Sequence, residues 1–488
     1  MRATLEQPRP QSPPAAVVDD RRQGVIHTTV SRPVAWVMIA GFIALIFGVP
    51  AWQIVSELRA GQRPRVLALF DRKSFPSKHD LKEYEDALHN ESLTKQHFQP
   101  LVQQQVTGRG RFGNTNCVVG RDGWLFYRPG IDYVIGPGFL DAAQLRKRGR
   151  NLRDAASEDT VQPDPRPAIR ALHEYCESRG VRLVLLPVPD KAQLQPGQLW
   201  KPLAEAPANP SYEQFVAEMR EAGVDVLDPM PQQLGAEDVR FLEQDTHWTP
   251  QWMSEVAARL AAHIGPHLEQ APREAMRLES AEATRVGDLV DMLGLPKAQK
   301  TYEPRTVQIQ RVVDGEGQPI GFAKEAQVLL LGDSFTNIYS AEPMGWGASA
   351  GFGEHVAYHL GRPIDIIARN DHGAHATRQM LANDLARGND RLAGKKVVVW
   401  QFAARELAVG DWRAIEMKLG EARKPATQPT GTVHAKLLGE FVVKAKVAAR
   451  TEVPQPQSVP YTDHVMSLHL VDVEGPPGVD KELFCYAM

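Results

Sequence analysis

The stretch Leu329-Leu330-Leu331-Gly332-Asp333-Ser334-Phe335 decides the fold. Its apolar half is typical of a strand buried on both faces of a parallel sheet. Gly-Asp-Ser then ends the run, so we expect Ser334 on a tight turn at the carboxyl end of that strand. Open α/β sheets build their sites at this edge. A serine there can be an exposed nucleophile; the alternative is a serine that caps a helix.

Further apolar runs predict the rest of the sheet. The five predicted strands are short, and helical patterns separate them: 182–188, 224–227, 326–331, 364–368 and 396–402. One helix is expected at 212–221, with a capping box from Ser211 and Gln214. Another is expected at 250–264, after the N-cap Thr249. This alternation predicts an α/β domain of three layers with a mostly parallel sheet. An insertion of about 60 residues before 326 contains turn residues at 314–317 that predict a hairpin.

Composition limits the class of protein. The chain has 488 residues, 43% hydrophobic and 24% charged, which is ordinary for a soluble globular chain. The formal net charge of −3 provides no basic excess, so we predict no nucleic-acid partner. Three cysteines without CxxC spacing are too few for a disulfide framework or a cysteine zinc site.

The N-terminal region predicts a membrane anchor. From Pro33 to Ser56 there is no charged residue, and these residues would span about 36 Å as a helix, against a hydrocarbon core of about 30 Å. Trp36 and Trp52 lie near its ends, as interfacial aromatic residues do. A cleaved signal peptide ending near 49–51 and a buried core helix are the alternatives. Lysine and arginine are more numerous after the segment than before it, which by itself opposes a cytoplasmic N-terminus.

We expect five regions along the chain. These are a disordered leader (1–32), the transmembrane anchor (33–56), a partly helical linker (57–114), the catalytic α/β domain (115–423) and a small all-β module (424–488). The last region is predicted from strand-like runs at 433–438, 441–450, 464–473 and 482–487.

A second chemical motif is Gln244-Asp245-Thr246-His247-Trp248-Thr249-Pro250. Asp245 and His247 lie two residues apart, so in an extended segment both side chains project to the same side. The carboxylate can then accept the imidazole Nδ1–H and leave Nε2 as a general base. The alternative is a surface histidine before a capped helix. Together with Ser334, these residues predict a Ser-His-Asp triad.

Two other clusters are weaker candidates. Residues 371–375 (DHGAH) could supply a rival base or two metal ligands, but no carboxylate pattern completes a zinc site, and we predict no metal. Arg405 follows the last predicted strand. It forms either a surface salt bridge or an anchor for an anionic sugar or a carbonyl oxygen.

Five motifs occur in order along the chain: DGWLFY (122–127), PVPDKAQLQP (187–196), DTHWTP (245–250), GDSF (332–335) and WQFAARE (400–406). Together they resemble the alginate O-acetyltransferase family, the AlgJ/AlgX-like proteins, over roughly 115–410. The resemblance implies an SGNH-hydrolase-like domain that is exported and often held at the inner membrane. Such proteins move acetyl groups onto an exopolysaccharide.

The resemblance also implies roles for single residues. Ser334 would be the nucleophile, His247 the base and Asp245 the carboxylate that orients it. Arg405 matches the arginine that the family has near the end of the domain. Asn370 lies where a residue of the oxyanion hole is expected. In this group of proteins, as here, the Asp and His precede the serine.

The chain departs from the family at two places. Gln401 stands where the family usually has a glutamate, and the β module at 424–488 has no counterpart that we can match, so the polymer need not be alginate. Trp248, next to the base, could help to keep water from an acyl-enzyme.

The sequence therefore predicts an O-acetyltransferase with no cofactor, held by a single pass in the inner membrane and facing the periplasm. Its acceptor would be a hydroxyl of an alginate-like or cell-wall polysaccharide, and its acetyl donor would be delivered by a membrane-bound O-acyltransferase. The alternatives are a carbohydrate esterase with the same triad and a non-catalytic polysaccharide-binding assembly subunit.

Overall fold

The computed structural model describes residues 31–71, 76, 78–154, 162–200, 206–231, 235, 238–370, 373–421, 444–450, 466–474 and 482–487. The chain divides into two compact units, residues 1–96 and 97–488. Nearly all of the predicted leader (1–32) lies outside the described residues. The other predicted domain boundaries stay predictions.

An apolar helix is the main element of the first unit. Helix α1 (Arg32–Arg59) contains the predicted segment 33–56, and in the described part of the chain it is the one helix long and apolar enough to cross a membrane. Its membrane-length stretch is not buried by the protein, which argues against a core helix. At its polar end, Glu57 accepts a hydrogen bond from the backbone N–H of Arg65 (3.0 Å). A 3₁₀ helix (Arg65–Asp71) and α2 (Lys78–Asn90) follow, and α3 (Leu93–Gly110) leads into the second unit.

The second unit contains the strands and the remaining helices. Its described strands are β1 (Cys117–Val119), β2 (Leu125–Tyr127), β3 (Arg182–Val188), β4 (Asp225–Val226), β5 (Met276–Arg285), β6 (Arg305–Asp314), β7 (Val328–Gly332), β8 (Asp365–Ala368), β9 (Val397–Ala403), β10 (Lys444–Arg450), β11 (Met466–Glu474) and β12 (Glu482–Ala487). Its described α-helices are α4 (Arg128–Ile135), α5 (Ala142–Asp154), α6 (Pro165–Ser178), α7 (Lys191–Leu194), α8 (Pro196–Leu199), α9 (Tyr212–Glu221), α10 (Pro250–Ile264), α11 (Asp288–Leu293), α12 (Ser334–Asn337), α13 (Phe352–Leu360), α14 (His375–Ala386) and α15 (Glu406–Val409). Short 3₁₀ helices lie at Gly265–His267 and Glu342–Met344.

The predicted parallel sheet is present. Five strands pair in the spatial order β4-β3-β9-β7-β8, and every neighbouring pair is parallel. β9 is the last of these five strands along the chain but lies between β3 and β7. The carboxyl ends of these three central strands therefore meet at the place where the strand order reverses, which is where open α/β sheets bind ligands.

Helices cover both faces of the sheet, which confirms the three-layer arrangement. Along β9, Val398 and Trp400 pack on one face with residues of α6, α9 and α14. Val397 and Val399 pack on the other face with residues of α10 and α13. A strand that alternates between two apolar layers must be apolar throughout, which explains its continuous hydrophobic run.

One local prediction was wrong. Ser211 is the N-cap residue of α9, but its side chain makes no capping hydrogen bond; its hydroxyl accepts from the backbone N–H of Leu140 instead (3.1 Å). The predicted hairpin at 314–317 is present as a short turn closed by an antiparallel bridge between Val313 and Pro319. The larger element of the insertion was not predicted: a ribbon in which β5 pairs antiparallel with β6 over ten residues. Polar side chains on both strands concealed this ribbon from a hydrophobicity pattern. By contrast, Thr249 caps α10 as predicted and accepts from the N–H of Trp252 (3.4 Å).

The C-terminal strands β10, β11 and β12 form an antiparallel sheet. They agree with the predicted runs at 441–450, 464–473 and 482–487 where these are described, and the run at 433–438 lies outside the described residues. That the strands form a separate module stays a prediction.

Candidate active site

Ser334 lies in a capped turn directly after β7. It is the first residue of α12, and Asp333 caps that helix by accepting from the N–H of Phe335 (2.9 Å). Gly332 is required here by close packing, because a Cβ at this position would lie 2.2 Å from Thr336 Oγ1. The Gly-Asp-Ser sequence therefore sets a turn that places a half-buried serine at the carboxyl end of a central strand.

Gln401 of β9 fixes this turn to the sheet. Its Nε2 donates to Asp333 Oδ1 (2.8 Å), and its Oε1 accepts from Asp333 N (3.1 Å) and Thr336 Oγ1 (2.7 Å). An amide can donate and accept at once, so it fits beside a carboxylate without like-charge repulsion. The residue that departs from the family's glutamate thus contacts Asp333.

Asp245 and His247 form a buried hydrogen-bonded pair. His247 donates to Asp245 Oδ1 through Nδ1 (2.6 Å) and through its backbone N–H (3.1 Å). Asp245 Oδ2 accepts from Trp346 Nε1 (2.8 Å) and from the N–H of Asp288 (3.1 Å). His247 is only 3% exposed, so the alternative of a surface histidine was wrong. Its Nε2 has no hydrogen-bond partner among the described residues.

Asp245 and His247 each favour the charged form of the other. Burial opposes the ionised form of Asp245, but His247 and the surrounding N–H donors outweigh it and hold the pKa of Asp245 well below its usual range. Burial also opposes a charged imidazole. The Asp245 carboxylate outweighs this as well, and the pKa of His247 is raised. A base of this kind accepts a proton more readily than a free histidine.

Phe335 connects the serine turn to the Asp-His segment. Its ring centroid lies 4.9 Å from that of His247, and its carbonyl accepts from Trp248 Nε1 (3.1 Å). Trp248 is fully buried, and its own carbonyl accepts from the Tyr339 hydroxyl (2.6 Å). The structure therefore brings the turn that carries Ser334 into contact with His247 through the Phe335 ring. The hydrogen bond between Ser334 and His247, and the role of Trp248 in excluding water, stay predictions.

Arg405 reaches the same place from the end of β9. Its guanidinium lies 5.2 Å from the ring centre of Tyr127 and 5.7 Å from that of Phe335. Its Nη1 lies 3.4 Å from Asp190 Oδ1. Burial opposes its charge, but Asp190 outweighs burial and the pKa of Arg405 is raised. With a side chain only 12% exposed, Arg405 forms a buried pair, so the alternative of a surface salt bridge was wrong.

Asn370 follows β8 at the same edge of the sheet. Its Oδ1 accepts from Asn337 Nδ2 of α12 (2.8 Å), which places it beside the serine turn. A role in an oxyanion hole stays a prediction. Of the rival cluster at 371–375, Asp371 and His372 lie outside the described residues.

Lys191 was missed by the sequence analysis. Its buried ammonium donates to the carbonyls of Leu125 (2.6 Å), Leu242 (2.6 Å), Glu243 (2.8 Å) and Asp245 (3.2 Å). It also lies about 5 Å from the rings of Trp124 and Phe126. Burial lowers its pKa to about 7, against the pull of Asp245. A single lysine thus ties the segment before His247 to β2. The sequence signals were the place of Lys191 in the PVPDKAQLQP motif (187–196) and an Asp-Lys pair shortly after a buried strand.

Asp288 was also missed. Asp245, His247 and Asp288 have ligand-type atoms within 4.8 Å of one another, close enough to hold a metal ion. Hydrogen bonds account for the arrangement, because Nδ1 of His247 and both oxygens of Asp245 already take part in them. We therefore assign these residues to a hydrogen-bonded base.

The site lies in a part of the chain that matches a known protein family. The family model described as "SGNH hydrolase-like domain, acetyltransferase AlgX" matches residues 117–404. The chain belongs to this family. The match runs from β1 to the end of β9, and so contains the Asp-His pair, the Ser334 turn and the parallel sheet. It confirms the resemblance carried by the five motifs.

Proteins with assigned names align with more than half of this chain. "Probable alginate O-acetylase AlgJ" of Pseudomonas aeruginosa is 27% identical over 334 residues, 64% of this chain and 76% of that protein. The protein of the same name from Pseudomonas putida is 27% identical over 307 residues, 60% and 71% of the two chains. Among solved structures, the O-acetyltransferase domain of P. putida AlgJ matches with 26% identity and a TM-score of 0.45, covering 61% of this chain and 93% of that domain. P. aeruginosa AlgX matches with 18% identity and a TM-score of 0.39, covering 62% and 68%.

The Lys191→Met variant should lose stability, because methionine keeps the volume but leaves four carbonyls without this donor. We expect the free energy of unfolding to fall by about 3 kcal/mol, measured by urea denaturation. Lys396→Met is the matched control, since Lys396 is partly exposed and pairs with Glu269; it should change stability by less than about 0.5 kcal/mol. Equal stability of the two variants would contradict the structural role of Lys191.

Proposed function

We propose that the protein is an O-acetyltransferase that moves acetyl groups through Ser334 onto polysaccharide hydroxyls. One observation carries the proposal: the buried Asp245–His247 pair, with Nε2 of His247 unpartnered among the described residues, meets the Ser334 turn at Phe335. A serine beside a histidine held by a carboxylate is the arrangement that acyl transfer requires. Membership of the AlgX family and similarity to proteins named alginate O-acetylase support the same activity.

In the first half-reaction, Nε2 of His247 takes the proton of the Ser334 hydroxyl while Oγ attacks the acetyl carbonyl. Asp245 stabilises the resulting imidazolium, since its own low pKa keeps it ionised. The tetrahedral intermediate collapses when the imidazolium gives the proton to the leaving oxygen of the donor. The product is acetyl-Ser334. The backbone N–H of Ser334 and the side chain of Asn370 are the proposed donors to the oxyanion.

In the second half-reaction, His247 takes the proton of a sugar hydroxyl while its oxygen attacks the acetyl-Ser334 carbonyl. The bond from the acetyl carbon to Ser334 Oγ then breaks, and the imidazolium returns the proton to Oγ, which restores the serine. Arg405 is the proposed contact for the acceptor, because its guanidinium reaches the Phe335 ring from a buried pair with Asp190. A fixed guanidinium suits a carboxylate or carbonyl oxygen on the polymer. An alginate-like or cell-wall polysaccharide is the proposed class of acceptor.

We place the reaction outside the cytoplasm. Helix α1 would hold the chain in the inner membrane as a single-pass anchor, with the catalytic unit facing the periplasm. A membrane-bound O-acyltransferase would deliver the acetyl group. The C-terminal strands would form a small module of their own beside the catalytic domain.

Ser334→Ala and His247→Ala should each abolish turnover of an activated acetyl ester without unfolding the protein. Asp245→Asn should lose about 10⁴-fold, because the useful imidazole tautomer is no longer favoured. The double variant Ser334→Ala with His247→Ala should be no slower than either single alanine variant, since Ser334 and His247 act as a unit. Ser280→Ala and His267→Ala, at exposed positions, are the controls. Additive losses would show that Ser334 and His247 do not share one mechanism.

Acceptor sugar should accelerate release of the ester's leaving group if the protein is a transferase. We expect slow release with water alone, faster release with the correct oligosaccharide, and the acetyl group on that sugar by mass spectrometry. Arg405→Ala should reduce this acceleration on the order of tenfold and the background hydrolysis less. Arg182→Ala, at the amino end of β3, should change neither rate. A protein that instead removes acetyl groups from an acetylated polymer is the esterase.

A reporter fused after Met488 tests the proposed location. An enzyme that is active only outside the cytoplasm, such as alkaline phosphatase, should be active in the fusion, and the fusion should remain in the membrane fraction. A reporter that functions only in the cytoplasm should be silent. The reverse pattern would remove both the periplasmic location and the polysaccharide acceptor from the proposal.

A further inference from the structure

Helix α11 packs directly against the Asp-His segment. A Cβ on Gly287, the residue before α11, would lie 2.1 Å from the carbonyl oxygen of Gln244, so only glycine permits this approach. The N–H of Leu289 donates to that same oxygen (3.2 Å). The N–H of Asp288 donates to Asp245 Oδ2 (3.1 Å). The Asp288 side chain is therefore held at a fixed position beside the base.

Thr246 connects Asp288 to His247. The backbone N–H of Thr246 donates to Asp288 Oδ1 (2.8 Å), and its hydroxyl donates to Asp288 Oδ2 (2.5 Å). A hydroxyl has a single hydrogen. Because the Thr246 hydroxyl donates it in the hydrogen bond to Asp288, Thr246 Oγ1 can only accept hydrogen bonds from other groups. That oxygen lies 3.1 Å from Nδ1 of His247. The ring therefore meets two acceptors at Nδ1, the Asp245 carboxylate and the Thr246 hydroxyl.

We propose that Asp288 is a second positioning carboxylate for His247, which acts through the Thr246 hydroxyl to keep the imidazole hydrogen on Nδ1 and makes Nε2 more basic. The proposal rests on the proposed function only in naming His247 as the base. Asp288 Oδ2 lies 3.7 Å from Nδ1, close enough for its charge to favour the imidazolium. Asp288 does not touch the reacting atoms; it orients and charges the group that does.

Other charged groups also face this cluster. Asp245 and Asp333 favour the charged imidazole, as Asp288 does. Lys191, from α7, interacts with both Asp245 and Asp288. Burial, and next the Asp245 charge, raise the pKa of Asp288 to about 6. Above that pH Asp288 is charged and supports the imidazolium; below it the carboxyl becomes neutral and this support is lost.

The first test is the pKa of His247 by ¹⁵N NMR in the Asp288→Asn variant of the full chain. We expect it to fall by about one unit, because a nearby negative charge is removed. The acidic limb of kcat/KM should move to lower pH by the same amount, since the base then remains deprotonated further into acid. Asp291→Asn is the matched control: Asp291 lies on the same helix and pairs with Arg285 (3.5 Å), and its removal should leave the pKa of His247 within about 0.3 unit of its original value.

The second test removes the bridge but keeps both carboxylates. In Thr246→Val, the neutral imidazole should show an increased fraction with hydrogen on Nε2, read from its ¹⁵N shifts, and kcat should fall more than KM changes. Thr246→Ser restores the hydroxyl and should restore the Nδ1–H form. The Thr246→Val and Thr246→Ser variants also test the proposed role of Asp288 if the Asp288→Asn variant does not fold.

The outcomes separate this proposal from the proposed function. An unchanged His247 pKa in Asp288→Asn, or an unchanged tautomer in Thr246→Val, overturns the role of Asp288 whether or not acetyl transfer is found. If both NMR signatures change as expected while no acetyl ester is turned over by the unmodified protein, Asp288 positions His247 and the acetyltransferase proposal is the one that fails.

Discussion

The hydrogen bond between Asp245 and His247 is the interaction on which the rest of the site depends. A buried carboxylate costs several kcal/mol unless it is paired and fully hydrogen-bonded. Asp245 meets that demand with four N–H donors from three parts of the chain: its own segment, the loop that carries Trp346 and the start of α11. Each of these parts must therefore hold its position before the base is formed. A fourth part of the chain, α7, also holds this segment, because the buried ammonium of Lys191 donates to the backbone carbonyl of Asp245.

The sheet supplies the other half of the site. Because β9 lies between β3 and β7, the ends of three central strands deliver Asp190, Arg405 and Ser334 to one edge. Gln401 then couples β9 to the Ser334 turn, so the strand that carries Arg405 also fixes the serine. Ser334 and Arg405 are far apart in sequence, yet both lie next to Phe335. Phe335 is fully buried, which makes it a rigid reference point for Arg405 on one side and His247 on the other.

The sequence was sufficient to predict the parallel sheet because its strands carry a local signal, a continuous apolar run between helical patterns. It also predicted the Asp245–His247 pairing, since those residues lie two positions apart. It did not predict Asp288 or Lys191. Their contacts join segments distant along the chain, and an isolated aspartate or lysine has no periodicity to mark it. The β5–β6 ribbon was not predicted for a related reason: few of its side chains are buried, and several of its cross-strand pairs are polar.

The central position of β9 also constrains how the chain folds. Residue 182 at the start of β3 pairs with residue 397 of β9, and β7 pairs with the same strand. During synthesis, β3 and β7 are made before β9. Each therefore has one edge without a pairing partner until β9 is made. Contacts so distant in sequence slow folding, and apolar strands with open edges associate readily with other chains. A chain truncated before β9 would therefore expose one unpaired edge of β3 and one of β7, and both edges could pair with other chains.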